Sequence, residues 1–266
     1  MKRNRVRVPL VLGSVLITLL FCTTAISVLY TPYNPTVMVI ANRFSPPSAQ
    51  HLFGTDQYGR DIFSRVMAGG RASLAIGLIA VFSGMLFGVL LGSIAGYFGG
   101  RWDEILMRIA DGLYSFPAFL LALLAVTIWG PGQGTAMVAI AIANVPIFMR
   151  IVRANFLSLR QTTFIEAARA MGATDGRIIR KHLLPNTLPP LIVQITVSFA
   201  AAILAEASLS YLGVGVQPPE PSWGRMLREA QSFATHAPWT VMFPGLAIAL
   251  TVLGFNLIGD GLQDSC

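Results

Sequence analysis

The chain has 266 residues, 54% of them hydrophobic and only 12% charged, about half the charge of an ordinary soluble domain. This composition excludes a soluble enzyme, a disordered tail and a nucleic-acid reader. The excess of 19 Lys and Arg over 12 Asp and Glu instead suits cationic loops facing an anionic leaflet.

Six stretches supply the roughly 20 apolar residues that a membrane helix needs: 9–30, 73–97, 104–129, 135–156, 188–210 and 239–261. The fold class is thus an all-α membrane protein with six transmembrane helices. The first stretch follows Lys2, Arg3, Arg5 and Arg7. It is longer than a signal-peptide core and lacks a small-residue cleavage site, so it reads as a retained signal-anchor helix with its N-terminus inside. The longest gap, 31–72, falls short of the roughly 50 residues of an independent domain. The expected organisation is a signal anchor with an extracytoplasmic segment over 1–72, then a five-helix core over 73–266. Residues 59–70 are either an interfacial amphipathic helix or a solvated lead-in to the second span.

Gly84, Gly88, Gly92 and Gly96 recur every four residues along the second stretch and form a ridge suited to close helix packing. Pro117, Pro146 and Pro244 mark the third, fourth and sixth stretches, as ordinary kinks or as hinges. Ionisable and polar residues within membrane spans are costly. Asp111 either pairs with Arg108, three residues earlier, or lines a polar path. Asn144 is a path candidate in the fourth stretch. Glu206, followed by the small and polar Ser208 and Ser210, reads as a gate or as a paired helix-end residue.

Between the fourth and fifth stretches, 157–187 encodes a compact structure. Thr162 or Thr163 can cap a short helix over Phe164–Met171. Gly172 stands where a left-handed residue ends a helix. Thr174 or Asp175 can cap a second helix over Gly176–Leu184, which Pro185 is expected to break before the fifth span. The result is a helix–glycine–helix elbow. Its first helix offers small side chains, Ala167, Ala168 and Ala170, fit to enter a groove on another protein. In the last loop, Trp223 and Trp239 are either interfacial belt aromatics or docking anchors.

Charge fixes the orientation. With the N-terminus inside, 13 of the 19 basic residues lie in or beside inner segments and six in outer ones. Both termini are then cytoplasmic, and so is the elbow. The chain's lysines are Lys2 and Lys181, and it has no phosphate-binding G-x-x-x-x-G-K-[ST] run. His51, His182 and His236 are too scattered for a local metal motif. No catalytic serine or aspartyl-protease signature occurs. Energy for any transport must come from another chain. An intramembrane enzyme and a scaffold subunit are the readings from other classes.

Glu166-Ala167-Ala168, three residues, Gly172, then nine residues before His182-Leu183-Leu184-Pro185 resemble the EAA motif of ABC-importer permeases. His182 replaces the usual Ile, a change tolerated in the peptide-transporter branch. His51–Asp56 with Gly59-Arg60-Asp61, Ala205–Gly213, Pro221-Ser222-Trp223-Gly224 and Gly259–Leu262 are similar, in order, to the dipeptide and oligopeptide (DppC/OppC-like) branch. The resemblance implies the type I importer permease fold and pairing with a homologous DppB/OppB-like permease. It also implies two ATPase domains on the cytoplasmic side and an extracytoplasmic binding protein, which segment 31–72 could contact. Glu166, Ala167, Ala168, Ala170, Gly172, Leu184 and Pro185 would couple to the ATPases. ATP and Mg would bind those partners, and no cofactor or metal would bind this chain. Dipeptides, longer peptides, glutathione and nickel complexes all remain open as substrates.

Overall fold

The structure is a computed structural model, and it describes residues 7–263. The charges at Lys2, Arg3 and Arg5, and Cys266, lie outside the described residues. The regular secondary structure of the described residues is helical, apart from an isolated bridge between Thr55 and Asp61.

Helix α1 spans Arg7–Leu29 and is followed by an irregular segment with one 3-10 turn at Ile40–Asn42. Helix α2 spans Ile62–Phe98, 37 residues, so the second span begins well before residue 73. Residues 62–70 are its first turns, not a separate interfacial helix. Asp61 caps it by accepting from the Ser64 N–H. Gly99 and Gly100, at φ +68° and +55°, turn the chain sharply at its end.

The third apolar stretch is not one helix. Helix α3 covers Gly100–Ser115 and α4 covers Ala118–Trp129, with a bend of 91° between them. Pro117 disfavours the helical region for the residue before it, and Phe116 is accordingly extended at φ −87°, ψ 128°. Twelve residues of α4 reach only about 18 Å, short of a hydrocarbon core of about 30 Å. The described chain has five helices long and apolar enough to cross a membrane, or six if α3 and α4 count as one broken span.

Helix α5 is Gln133–Leu159 and runs through Pro146. The elbow holds α6, Thr163–Ala170, and α7, Asp175–Ile178. A π-helical segment, Ile179–Leu183, joins α7 to α8, Leu184–Leu212. Pro185 therefore does not break the chain, and helical backbone is continuous from Asp175 to Leu212. Proline normally loses the bond to the carbonyl four residues back and clashes with it. The widened π turn just ahead of Pro185 relieves that register. Helix α9, Trp223–Ala230, and a 3-10 turn at Gln231–Phe233 precede α10, Trp239–Gln263, which contains Pro244.

The ridge of glycines on α2 packs on α5. A Cβ at Gly84 would lie 2.6 Å from the Asn144 Cβ, at Gly88 2.6 Å from the Phe148 Cβ, and at Gly96 2.7 Å from the Phe156 Cβ. Phe148 and Phe156 are fully buried beside Ile76, Val81 and Val152 in the main core. Helix α1 lies against α10, where a Cβ at Gly13 would stand 2.6 Å from the Gly254 carbonyl oxygen. The ends of α2, α5 and α8 that meet the elbow form one end of the bundle. Segment 30–61 and α9 cover the opposite end.

Candidate functional site

Among the described residues, polar groups gather at the elbow, at a cavity beside the break between α3 and α4, at the contact of α8 with α9, and in a buried ion network at the opposite end.

In the elbow, Thr162 precedes α6, but its hydroxyl donates to the Leu159 carbonyl instead of capping the helix. Gly172 has φ +79°. The Ala173 N–H bonds the Ala168 carbonyl at 3.0 Å and the Gly172 N–H bonds that of Arg169 at 2.9 Å, a Schellman stop. A Cβ at Gly172 would meet nothing within 4 Å, so backbone conformation, not space, requires glycine. Ile165 and Ala168 are buried, whereas Phe164, Glu166, Ala167, Ala170 and Met171 are exposed. Ala168 therefore faces the bundle, away from the free face on which Ala167 and Ala170 lie. Leu184 packs partly buried against the core, and Pro185 is exposed. Asp175 does not cap α7; it accepts a hydrogen bond from the Tyr97 hydroxyl.

The cavity, about 450 Å³, lies between the α3–α4 break, α5 and α8. Tyr114, Phe116 and Phe119 line one side, Asn144 and Ile147 a second, and Ala201, Ala205 and Ser208 a third. Its volume is that of a small-molecule site, about 300–1,000 Å³. Asn144 is buried, and its side-chain N–H donates 2.8 Å to the Ile140 carbonyl. The Ser208 hydroxyl donates to the Leu204 carbonyl at 2.8 Å. Tyr114, Phe116 and Phe119 are 58%, 51% and 40% exposed, so the cavity opens on the flank of the chain. Asp111 does not pair with Arg108, which bonds Glu104. It takes Arg150 at 2.8 Å, and that guanidinium lies 4.4 Å over the Tyr114 ring at the cavity's edge.

Glu206 and Ser210 are absent from this lining. Both are fully buried, and the Ser210 hydroxyl donates 2.7 Å to one Glu206 oxygen. They sit where α8 meets α9 so closely that a Cβ at Gly224 would lie 2.2 Å from the Ala207 carbonyl oxygen. Trp223 is 1% exposed and donates to the Val66 carbonyl at 2.9 Å. It is an internal packing residue, neither a belt aromatic nor a docking anchor. Trp239 is half-buried and donates to the Thr55 carbonyl at 3.2 Å.

At the opposite end, Arg65 is 1% exposed. A buried charge needs partners. Arg65 bonds Glu229 at 3.0 Å and stands 3.6 Å from Asp56, while Arg60 bonds both carboxylates and Arg225 adds a 2.7 Å contact to Glu229. Burial pushes the Glu229 carboxyl up, but Arg65, Arg60 and Arg225 together outweigh it and hold the group below the ordinary carboxylate range. Beside the network, His51 and Asp61 pair at 2.9 Å. This fastening of segment 30–61 to α9 had no sequence signal beyond scattered charges, because Arg60 and Glu229 are 169 residues apart. Among the described residues no group of three or more His, Cys, Asp or Glu could hold a metal ion.

The chain is 48% identical to the dipeptide transport system permease protein DppC of Alkalihalophilus pseudofirmus, over all of this chain and 86% of that protein. It is 50% identical to the glutathione transport system permease protein GsiD of Pectobacterium atrosepticum, over 82% of this chain and 73% of that one. A solved inward-facing structure of the MetNI methionine ABC transporter matches the fold with TM-score 0.61 at 24% identity, covering 75% of this chain and 94% of that one. An amino acid ABC transporter crystallised with histidines matches at 0.56 and 18%, over 72% of this chain and 89% of that one. The architecture is the type I importer permease fold, in a multi-pass membrane transport subunit and not an enzyme. A family model described as the binding-protein-dependent transport system inner membrane component matches residues 88–265, and the chain belongs to that family.

Proposed function

We propose that this chain is one of two homologous permease subunits of an ATP-driven importer for short peptides, with both termini and the elbow on the cytoplasmic side. The 48% identity to a dipeptide permease along the whole chain carries the substrate class. The open flank of the cavity supports the pairing, since three exposed aromatic side chains at its mouth call for a cover that a second permease would supply. Asn144 and Ser208 would line the path. Asp111 would stand at its edge through Arg150, and Glu206 with Ser210 would hold the outer closure behind it.

The free face of α6, with Glu166, Ala167 and Ala170, would seat in a groove of an ATPase subunit. ATP and Mg would bind there, with no cofactor on this chain, and a binding protein would deliver substrate from the other side. Glutathione is the second reading, favoured by the 50% identity to GsiD.

The test is reconstitution of the chain with its partner permease, ATPases and binding protein in proteoliposomes. Labelled dialanine and labelled glutathione are offered in parallel. ATP-dependent uptake of dialanine above glutathione is expected. Uptake of glutathione alone moves the substrate to the second reading, and uptake of neither overturns the proposal. Ala201→Phe, which fills the cavity, should cut uptake at least about tenfold while the complex still assembles.

A further inference from the structure

Tyr97 sits at the inner end of α2, 6% exposed, one residue after Gly96, the last of the glycines that pack on α5. It meets the elbow at three points in sequence. Its carbonyl accepts from Arg160 at 3.2 Å, just before α6. Its ring lies 5.7 Å beneath the guanidinium of Arg169, on α6. Its hydroxyl donates to Asp175, on α7 beyond the Gly172 turn. One side chain thus bridges both limbs of the elbow and joins them to the helix that packs through its glycine ridge on α5.

From this geometry we infer that Tyr97 is the positioning residue that makes the elbow and α2 move as one body, converting displacement of α6 into displacement of the helices around the cavity. The inference rests on the importer reading above. Without that link, α6 would be tied to α7, whose backbone continues into α8, only through the Gly172 turn, and to the bundle only by the apolar contacts of Ile165 and Ala168. The Tyr97–Asp175 bond closes that turn against flexing. The Arg169 guanidinium over the ring and the Arg160 bond restrain α6 from the other side. Coupling of this kind needs an element with two discrete placements and a rigid link to it.

The test uses the reconstituted complex and reads ATP hydrolysed per molecule of dialanine imported. Tyr97→Phe keeps the ring and carbonyl and removes only the hydroxyl. It should raise that ratio about threefold or more, the factor carried by one hydrogen bond of ordinary net strength. Asp175→Ala should do the same, and the double variant should be no worse than either single one. Asp175→Asn keeps an acceptor oxygen and should restore a ratio near that of the unsubstituted complex. An unchanged ratio in Tyr97→Phe overturns the inference, whether or not assembly falls. So does an Asp175→Asn complex as uncoupled as Asp175→Ala. Failure of the unsubstituted complex to import strikes the importer reading instead, so the two failures are distinguishable.

Discussion

At the scale of single residues, the elbow turns on Gly172. Its φ of +79° costs an L-residue about 1–2 kcal/mol, and no neighbour stands within 4 Å of a Cβ placed there. Gly172→Ala should therefore lower stability by about 1 kcal/mol and leave uptake largely intact. Gly172→Pro cannot reach that φ and loses the N–H bonded to Arg169, so it should abolish uptake while the membrane complex is still recovered. Thermal unfolding and uptake of the two variants check both outcomes. At the other end, Glu229→Gln keeps an acceptor oxygen but removes a counter-charge from buried Arg65, and about 3 kcal/mol of destabilisation is expected by thermal unfolding. Because Glu229 is held below its ordinary range, its contribution is whole above about pH 4.5. That contribution is lost only as pH falls through the depressed value. Melting temperature followed from pH 7 downward should show this loss in the unsubstituted complex and not in Glu229→Gln.

Elements were legible to different degrees. The glycine ridge on the second span was readable as a packing face, since a four-residue repeat keeps its side on any helix. Which helix it faced was not readable; the Cβ positions identify α5. Gly88→Val should drive a side chain into the Val145 carbonyl and the Phe148 Cβ, at 2.7 and 2.6 Å, and lower complex yield sharply in a detergent-stability assay. The single helix over 104–129 and the break at Pro185 failed for one reason. Proline only removes a donor and restricts its predecessor, and the surrounding backbone decides whether the helix bends, breaks or continues. At Pro117 the chain breaks, with Phe116 extended. At Pro185 a π turn keeps the helix whole. Apolar length, the signal for a span, is blind to both. It therefore drew 104–129 as one helix, and the expected break at Pro185 separated the elbow's second helix from the fifth span, with which it is continuous.

On the scale of the whole molecule, sidedness is the property most open to test. In a background lacking the natural cysteines, Met171→Cys and Glu220→Cys place thiols on exposed residues at opposite ends of the bundle. An impermeant maleimide should label the first only from the cytoplasmic face and the second only from outside. The reverse pattern would invert the orientation drawn from charge. The sequence by itself determined the solvent, the number of apolar stretches, the elbow with its left-handed glycine, and the family resemblance. Each of these is written in local composition, spacing or a contiguous motif. Only the tertiary structure decided that Asn144 and Ser208 share a cavity while Glu206 and Ser210 do not. It also set Asp111 against Arg150, Arg65 against Glu229 and Tyr97 against Asp175. Those pairings join residues 39, 164 and 78 positions apart. Helical periodicity fixes which side of its own helix a residue occupies, but the rotation and depth of each helix against its neighbours come from packing across the bundle.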